Sequence, residues 1–360
     1  MRRNEIVSGT PLSRLMDQAY ESARPVTVQL ELTYKCNLLC SFCYNAPKDK
    51  TPLTTEEWIE ALDTLQAAGA FKIILTGGEP FMHPGFFQIA EAVRARGLVL
   101  KAYTNAVPLA RREVAERWAA LSPFDTEISI HGADAATHER LTGVRGSFAK
   151  LLEALGHMQE LGIKATLKTP ITRLNQEQLQ EIERLVGDYG YKVTFDTNIV
   201  PTDDGDTSTL TLAADRKFLV DFFLDQARRG ARGLKPRPVD RMKHGCGVGR
   251  VVAAVDPYGE IFPCVAWRRS VGNIREIDDL ATVWADSEKK NESLTLVRRA
   301  ADEAPKMLAQ HADGGFAAFC PASAEKETGH PLAYYDGAKS SAATKMEAFR
   351  RLEDERKNER

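Results

Sequence analysis

The chain has 360 residues, with 48 Lys plus Arg against 50 Asp plus Glu and a formal charge of −2. That balance excludes a partner held by bulk charge, so neither nucleic acid nor an anionic membrane surface is expected. Six cysteines are too few for a disulfide scaffold, and 43 % hydrophobic with 27 % charged residues is an ordinary globular composition at about two domains' length.

The opening MRRNEIVSGTPLS carries two arginines with no apolar stretch behind them, so it does not read as a signal peptide. No run approaches the ~18 apolar residues of a membrane span. The expected location is cytoplasmic and reducing, where clustered cysteines are metal ligands more often than bridges.

From residue 26 to 198, strand-like runs alternate with helical runs. The strands read as 26–33, 72–76, 98–104, 126–131, 163–169 and 192–198, and the helices as 54–68, 84–96, 108–120, 146–161 and 175–189. Thr54 and Glu57 form a capping-box pair ahead of Trp58, Leu62 and Leu65 at helical spacing. Strand and helix in turn mean a parallel sheet with crossover helices. The strands alternate polar with apolar: Val28, Leu30 and Leu32 against Gln29, Glu31 and Thr33, and Ile128 and Ile130 against Glu127, Ser129 and His131. The apolar face must meet the helices. The polar face then lines a wet chamber inside an incomplete barrel, with chemistry at the C-terminal strand ends.

Residues 201–245 read as a connector with the acidic turn PTDDGD (201–206), a helix over 212–227 and the breaker GLKPRP (233–238). A smaller unit, 246–332, holds a hairpin: VVAAVD (251–256), a turn at Pro257–Gly259, then EIFPC (260–264). The expected division is an N-terminal segment 1–24, a barrel 25–200, the connector, that unit, and a charged, partly frayed helical tail over 333–360.

Cys36, Cys40 and Cys43 lie in CNLLCSFC directly after the first strand, with Phe42 before the last cysteine. Three thiolates on one loop can hold three corners of a cubane and leave one iron open. A structural zinc site needs four protein ligands, and no further His or Cys follows closely. The loop resembles the signature of the radical S-adenosylmethionine (SAM) superfamily. Gly77–Gly78–Glu79–Pro80, at the end of the second strand, resembles that family's GGEP motif.

The resemblance implies a partial (β/α)6 barrel holding a [4Fe–4S] cluster whose open iron chelates SAM. One electron cleaves the sulfonium to methionine and a 5′-deoxyadenosyl radical, which abstracts hydrogen from substrate. Such a cluster belongs near the reducing end of the Fe–S range, about −400 mV or lower. It further implies that Gly77, Gly78 and Glu79 meet the SAM amino group and that Thr104 and Asn105 lie near the ligand. Ser129 then contacts ribose or carboxylate, and Arg140 pairs a carboxylate. His131 stands where relatives often carry Asp, either as a proton donor or acceptor or as a packed polar residue.

Cys246 and Gly259-x4-Cys264 resemble the opening of a SPASM domain or its shortened twitch form, and Cys320 alone answers to the cysteine run that follows in the full pattern. Ser323 stands where the full pattern has a further cysteine, so the expectation is one auxiliary [4Fe–4S] cluster with three cysteine ligands. Its fourth position falls to substrate, water, His311, His330 or Asp336. Among polar inner-face residues, Lys168 and Asp196 come first as substrate-facing groups because both end strands, followed by Glu31, Glu127, Asp203 and Asp204.

The whole chain looks most like maturases of ribosomally made peptides, on ELTYKCNLLCSFCYN and SIHG…HERLTGVRGSF. That resemblance implies a peptide substrate, a separate leader-binding chaperone or direct docking, and a flavodoxin- or ferredoxin-type electron donor. Alternatives are a small-molecule radical SAM dehydrogenase or mutase, and a non-catalytic Fe–S electron carrier.

Overall fold

The computed structural model describes residues 11–45, 50–230, 234–237, 246–285 and 291–358. The first ten residues of the N-terminal segment, both ends of the breaker 233–238 and the last stretch of the connector lie outside the described residues.

After helix α1 (Pro11–Glu21), six strands run in chain order: β1 (Thr27–Thr33), β2 (Lys72–Gly77), β3 (Val99–Thr104), β4 (Asp125–Ser129), β5 (Ala165–Pro170) and β6 (Lys192–Asp196). Each is parallel to the next. The crossovers carry α2 (Thr55–Ala67), α3 (Phe86–Ala95), α4 (Arg112–Ala120), α5 (Ala135–Thr142), α6 (Ser147–Glu160) and α7 (Leu179–Asp188). This is the expected partial (β/α)6 barrel. Helix α5 is an addition the periodicity did not reveal, because its burial is confined to His138, Leu141 and Thr142.

The core lies between sheet and helices. Val28, Leu30 and Leu32 of β1 are fully buried, and they belong to one cluster with Trp58, Leu62 and Leu65 of α2. The Thr54 capping box forms as expected: the Thr54 amide donates to Glu57 (2.7 Å) and the Glu57 amide to Thr54 Oγ1 (3.2 Å). The opposite face of the arc is polar. In β3 and β4 the buried residues alternate with partly open Lys101, Tyr103, Glu127 and Ser129, which look inward.

The chain then runs through α8 (Arg216–Arg228) into β7 (Val252–Val255), β8 (Glu260–Phe262) and β9 (Gly272–Asn273). The hairpin is present, and its first strand does more than pair locally. Strand β7 lies parallel on the outer edge of β1, Thr27 opposite Val252 through Leu30 opposite Val255. One nine-stranded sheet therefore spans both regions, in the order β6-β5-β4-β3-β2-β1-β7-β8-β9. Near-continuous burial of Ala253, Ala254 and Val255 is what a strand covered on both faces shows.

Among the described residues, four helices complete the fold: α9 (Leu280–Ala285), α10 (Glu292–Leu308), α11 (Pro321–Thr328) and α12 (Asp336–Asn358). The tail helix α12 is docked. Its Ala348 and Leu352 bury against Val220 and Leu224 of α8. Charge-rich composition suggested fraying, but a stripe of small residues (Ala338, Ala342, Ala348) gives the helix a face that packs closely. Among the described residues, no helix is long and apolar enough to cross a membrane.

Candidate functional site

The loop Cys36–Cys43 leaves β1 at the C-terminal end of the sheet. The end of β2 clamps its first residues. The Gly78 amide donates to the Thr33 carbonyl (2.7 Å) and the Glu79 amide to the Lys35 carbonyl (2.9 Å). Only glycine fits there. Gly77 has φ +133°, and a Cβ on it would stand 2.3 Å from the Thr33 carbonyl oxygen. A Cβ on Gly78 would stand 2.5 Å from that of Lys35. Asn45, two residues past Cys43, ties the far side of the loop back by donating to the Gly77 carbonyl (3.0 Å).

Glu79 is fully buried, and its carboxylate turns inward. It accepts from the Phe81 amide (3.2 Å), Thr104 Oγ1 (2.8 Å) and the Asn105 amide (2.8 Å). It thereby joins the ends of β2 and β3. Burial outweighs those three donors and raises its carboxyl to about 7. Asn105 in turn donates to Asn37 Oδ1 (2.7 Å) and reaches Cys36 Sγ (3.8 Å).

Within the loop, the Cys43 amide donates to the Cys40 carbonyl (3.1 Å) and the Leu38 amide to Cys36 Sγ (3.4 Å). Burial pushes all three thiols up; Cys40 reaches about 12, with Cys43 and Cys36 adding to the effect. As thiolates they need a cation, and a bound metal supplies one. Among the described residues no three metal-ligating side chains converge on a single point. A cubane puts each thiolate on a different iron, and three thiolates on one loop are the donor set for three of its corners.

The second set is assembled from distant segments. Cys246, Cys264 and Cys320 pack on one apolar cluster with Val248, Trp267, Val297, Ala300 and Ala322. Arg298 of α10 holds the first segment by donating to the Gly249 carbonyl (2.7 Å). Glu325 of α11 ties the second to the third: it accepts from Trp267 Nε1 (2.5 Å) and pairs with Arg269. Burial pushes Cys264 up to about 12, with Cys246 and Cys320 near enough to contribute.

A cavity of about 1570 Å³ joins the two sets; Cys36, Cys40 and Cys43 line it, as do Cys246 and Cys320. Phe42, Gly77, Gly78, Thr104, Asn105, Ser129, His131, Lys168 and Asp196 also line it, so nearly all the expected site residues meet there. Glu79 lies behind the lining, and exposed Arg140 on α5 lies outside it. Of the three candidates for a fourth cluster ligand, only Asp336 reaches the cavity, and it pairs with Lys339 (3.1 Å). His311 stacks on Tyr334 (4.4 Å between centroids), and His330 Nδ1 accepts from the Leu332 amide (3.2 Å).

His131 packs edge-on to Phe42 (4.9 Å) and beside His138 (5.5 Å), and its Nδ1 has no hydrogen-bond partner among the described residues. Burial, with His138 adding, lowers it to about 3, so the ring is neutral. Lys168 is bound to Glu127 (2.5 Å), which also takes Lys101 (3.2 Å); both ammonium groups lie over the Tyr103 ring. Exposed Asp196 accepts from the Asn198 backbone and side chain (3.0 and 3.1 Å).

Glu31 and Asp203, read from sequence as substrate-facing groups, are committed elsewhere. Arg268 grips Glu31 with two bonds (2.7 and 2.8 Å) and also donates to Asp203 (2.9 Å). Lys326 takes the other Asp203 oxygen (2.9 Å), and Tyr34 donates to Glu31 (2.9 Å). The Asp203 amide donates to the carbonyl of Tyr44, the residue after Cys43 (2.8 Å). One buried ion cluster thus ties β1 and the first loop to the segments following Cys264 and Cys320. No spacing rule connects residues 237 positions apart, so Arg268 carries no sequence signal.

A partial barrel with a three-cysteine loop at its mouth, a glycine clamp and a second cysteine set on a shared cavity is the architecture of enzymes that cleave SAM reductively. The chain belongs to the radical SAM superfamily, whose family model matches residues 30–188. It is 30 % identical over 296 residues to the mycofactocin maturase MftC of Mycobacterium tuberculosis, covering 77 % of this chain and 75 % of that one. It is 28 % identical over 295 residues to the AdoMet-dependent heme synthase of Methanosarcina barkeri, covering 73 % and 83 %. Among solved structures, SuiB of Streptococcus suis bound to S-adenosylmethionine shares the fold at TM-score 0.67 and 18 % identity, over 91 % of this chain and 80 % of that one.

Proposed function

We propose that this radical SAM enzyme carries two [4Fe–4S] clusters and abstracts hydrogen from a ribosomally made peptide. The observation that carries the reading is the single cavity touching both cysteine sets, roomy enough for SAM and part of a chain together. When bound, a cluster on Cys36, Cys40 and Cys43 supplies the electron that splits SAM into methionine and a 5′-deoxyadenosyl radical. Phe42 packs the loop against His131. Gly77 and Gly78 open the space in which the SAM amino group sits, and Thr104, Asn105 and Ser129 offer neutral polar contacts around it. Glu79 acts as a positioning residue behind them. Arg140, exposed on α5 outside the cavity lining, pairs a carboxylate.

His131 serves as a neutral hydrogen-bond partner, since burial keeps the proton off. Lys168 and Asp196 face substrate from neighbouring strand ends. Cys246, Cys264 and Cys320 hold the auxiliary cluster, with the fourth position supplied by Asp336 or by whatever fills the cavity. A peptide calls for a separate leader-binding chaperone or direct docking, and the reducing electron for a flavodoxin- or ferredoxin-type donor.

A relative 26 % identical over 289 residues is named PqqA peptide cyclase, which favours a peptide; the heme synthase relative favours a small-molecule substrate as the second reading. Anaerobic reconstitution followed by dithionite and SAM tests the chemistry: 5′-deoxyadenosine is expected, and its absence ends the proposal. Deuterium transfer from labelled candidate peptides into 5′-deoxyadenosine then separates the two substrate classes.

A further inference from the structure

One polar atom beside the glycine clamp has no protein partner. Asn45 is anchored twice: its backbone amide donates to the Cys43 sulfur, and its side-chain Nδ2 donates to the Gly77 carbonyl (3.0 Å). The second bond fixes which way the side-chain amide lies, because the reverse would set two oxygens against each other. The remaining oxygen, Oδ1, is buried and accepts no hydrogen bond among the described residues, although Asn45 lines the cavity. A buried acceptor left without a donor is costly, and in a folded protein it calls for an explanation.

The neighbouring acceptors differ. Glu79, the carboxylate of the motif, serves three protein donors and lies behind the lining. Thr104 Oγ1 accepts from the Ala106 amide (3.0 Å), and Asn105 Oδ1 from the Val107 amide (3.0 Å). Asn37 Oδ1 takes the Asn105 side chain (2.7 Å). His131 Nδ1 is also unpartnered, but it lies past the end of β4, against Phe42. Asn45 Oδ1 belongs instead to the side chain bonded to the first glycine of the clamp, two residues past Cys43.

We propose that Asn45 binds SAM, its side-chain oxygen accepting an N–H of the amino group on the methionine end. This rests on the reading that the amino group sits at Gly77 and Gly78, and it deepens that reading. Asn45 Oδ1 lacks a donor. Of the two ends of SAM that carry N–H groups, the adenine and the amino acid, the glycine clamp sets the second beside it. The carboxylate of SAM, an acceptor only, would not serve.

The test uses cluster-loaded full-length protein, kept anaerobic and without reductant, so that SAM is bound and not cleaved. Dissociation constants are measured by isothermal titration calorimetry for SAM and for its deaminated analogue, in which hydrogen replaces the amino group. A weakly bound analogue is read by displacement of labelled SAM. Asn45→Ala should weaken SAM about tenfold, the upper end for one hydrogen bond, and leave the analogue's affinity as in wild type. Asn45→Ser repeats the comparison should the first variant hold less iron than wild type. Equal weakening of both ligands would make Asn45 a brace for the loop and overturn the proposal. Unchanged SAM affinity, or iron loss from both variants, overturns it as well. Cleavage by wild type is measured separately with dithionite. If wild type binds SAM without cleaving it, the proposed function falls, while the two-ligand comparison still decides Asn45. If wild type does not bind SAM, both fall.

Discussion

The two cysteine sets reach the same cavity by different physics. Cys36, Cys40 and Cys43 occupy one short loop, held by backbone hydrogen bonds from residues 33–45 and the β2 end. Cys246, Cys264 and Cys320 meet only because a strand, a hairpin and two helices pack together, pinned by Arg298, Glu325 and the Arg268 ion cluster. A site built locally depends on a few close approaches. A site built from remote segments depends on every interface between them, so it should fail first when the tertiary structure is loosened.

The largest test of that contrast is chemical. Cys36→Ala should reduce 5′-deoxyadenosine formation to background, read by chromatography after dithionite reduction. Replacing Cys246, Cys264 and Cys320 together by Ala should leave that cleavage detectable and lower bound iron from about 8 to about 4 per chain, the difference of one cubane. An unchanged iron count would remove the auxiliary cluster.

Arg268→Met comes next. It strands the buried carboxylates of Glu31 and Asp203 and should cost about 3–5 kcal/mol in urea unfolding. Arg268→Lys should recover part of this. Iron should leave the second site before the first; simultaneous loss would show that the two sites are not separable. Gly78→Ala is the local counterpart. Its Cβ presses on the Tyr34 and Lys35 carbonyls, and overpacking of this kind costs about 1–3 kcal/mol. Here the first site should be hit and the second spared, as judged by iron content in the variant against the triple-cysteine background.

The smallest effect is on pH dependence. Burial lowers His131 to about 3 and His138 to about 4, below the ordinary value of 6.5. The unfolded chain therefore takes up protons that the folded one refuses. This contribution is fully present above pH 6.5 and is lost as pH falls toward 4, at up to about 1.4 kcal/mol per pH unit for each ring. His131→Gln should flatten the slope of thermal stability between pH 6.5 and 4.5. An unaltered slope would mean the ring is open to solvent.

Periodicity and spacing carried the six strands, most crossover helices and the first loop into view, and the family resemblance singled out Gly77 and Gly78. Each is written within a few dozen residues, where a 2-residue or 3.6-residue repeat and a fixed loop geometry leave a visible trace. The alternation in β4 likewise announced a polar interior holding Glu127 and Ser129. Glu31 in β1 looked the same on paper, yet it is sealed by Arg268. Glu79 carried a motif and turned out to face β3 rather than the cavity.

By itself, then, the amino-acid order determined the barrel, the three-thiolate loop and the family of chemistry, because those are set by contacts between near neighbours. Only the tertiary structure decided that β7 extends the sheet from β1, that Arg268 binds the two halves, and which inner-face charges stay free. Such facts depend on which remote side chains reach one another in a low-dielectric interior, and a charge reads identically in sequence whether water or a partner meets it.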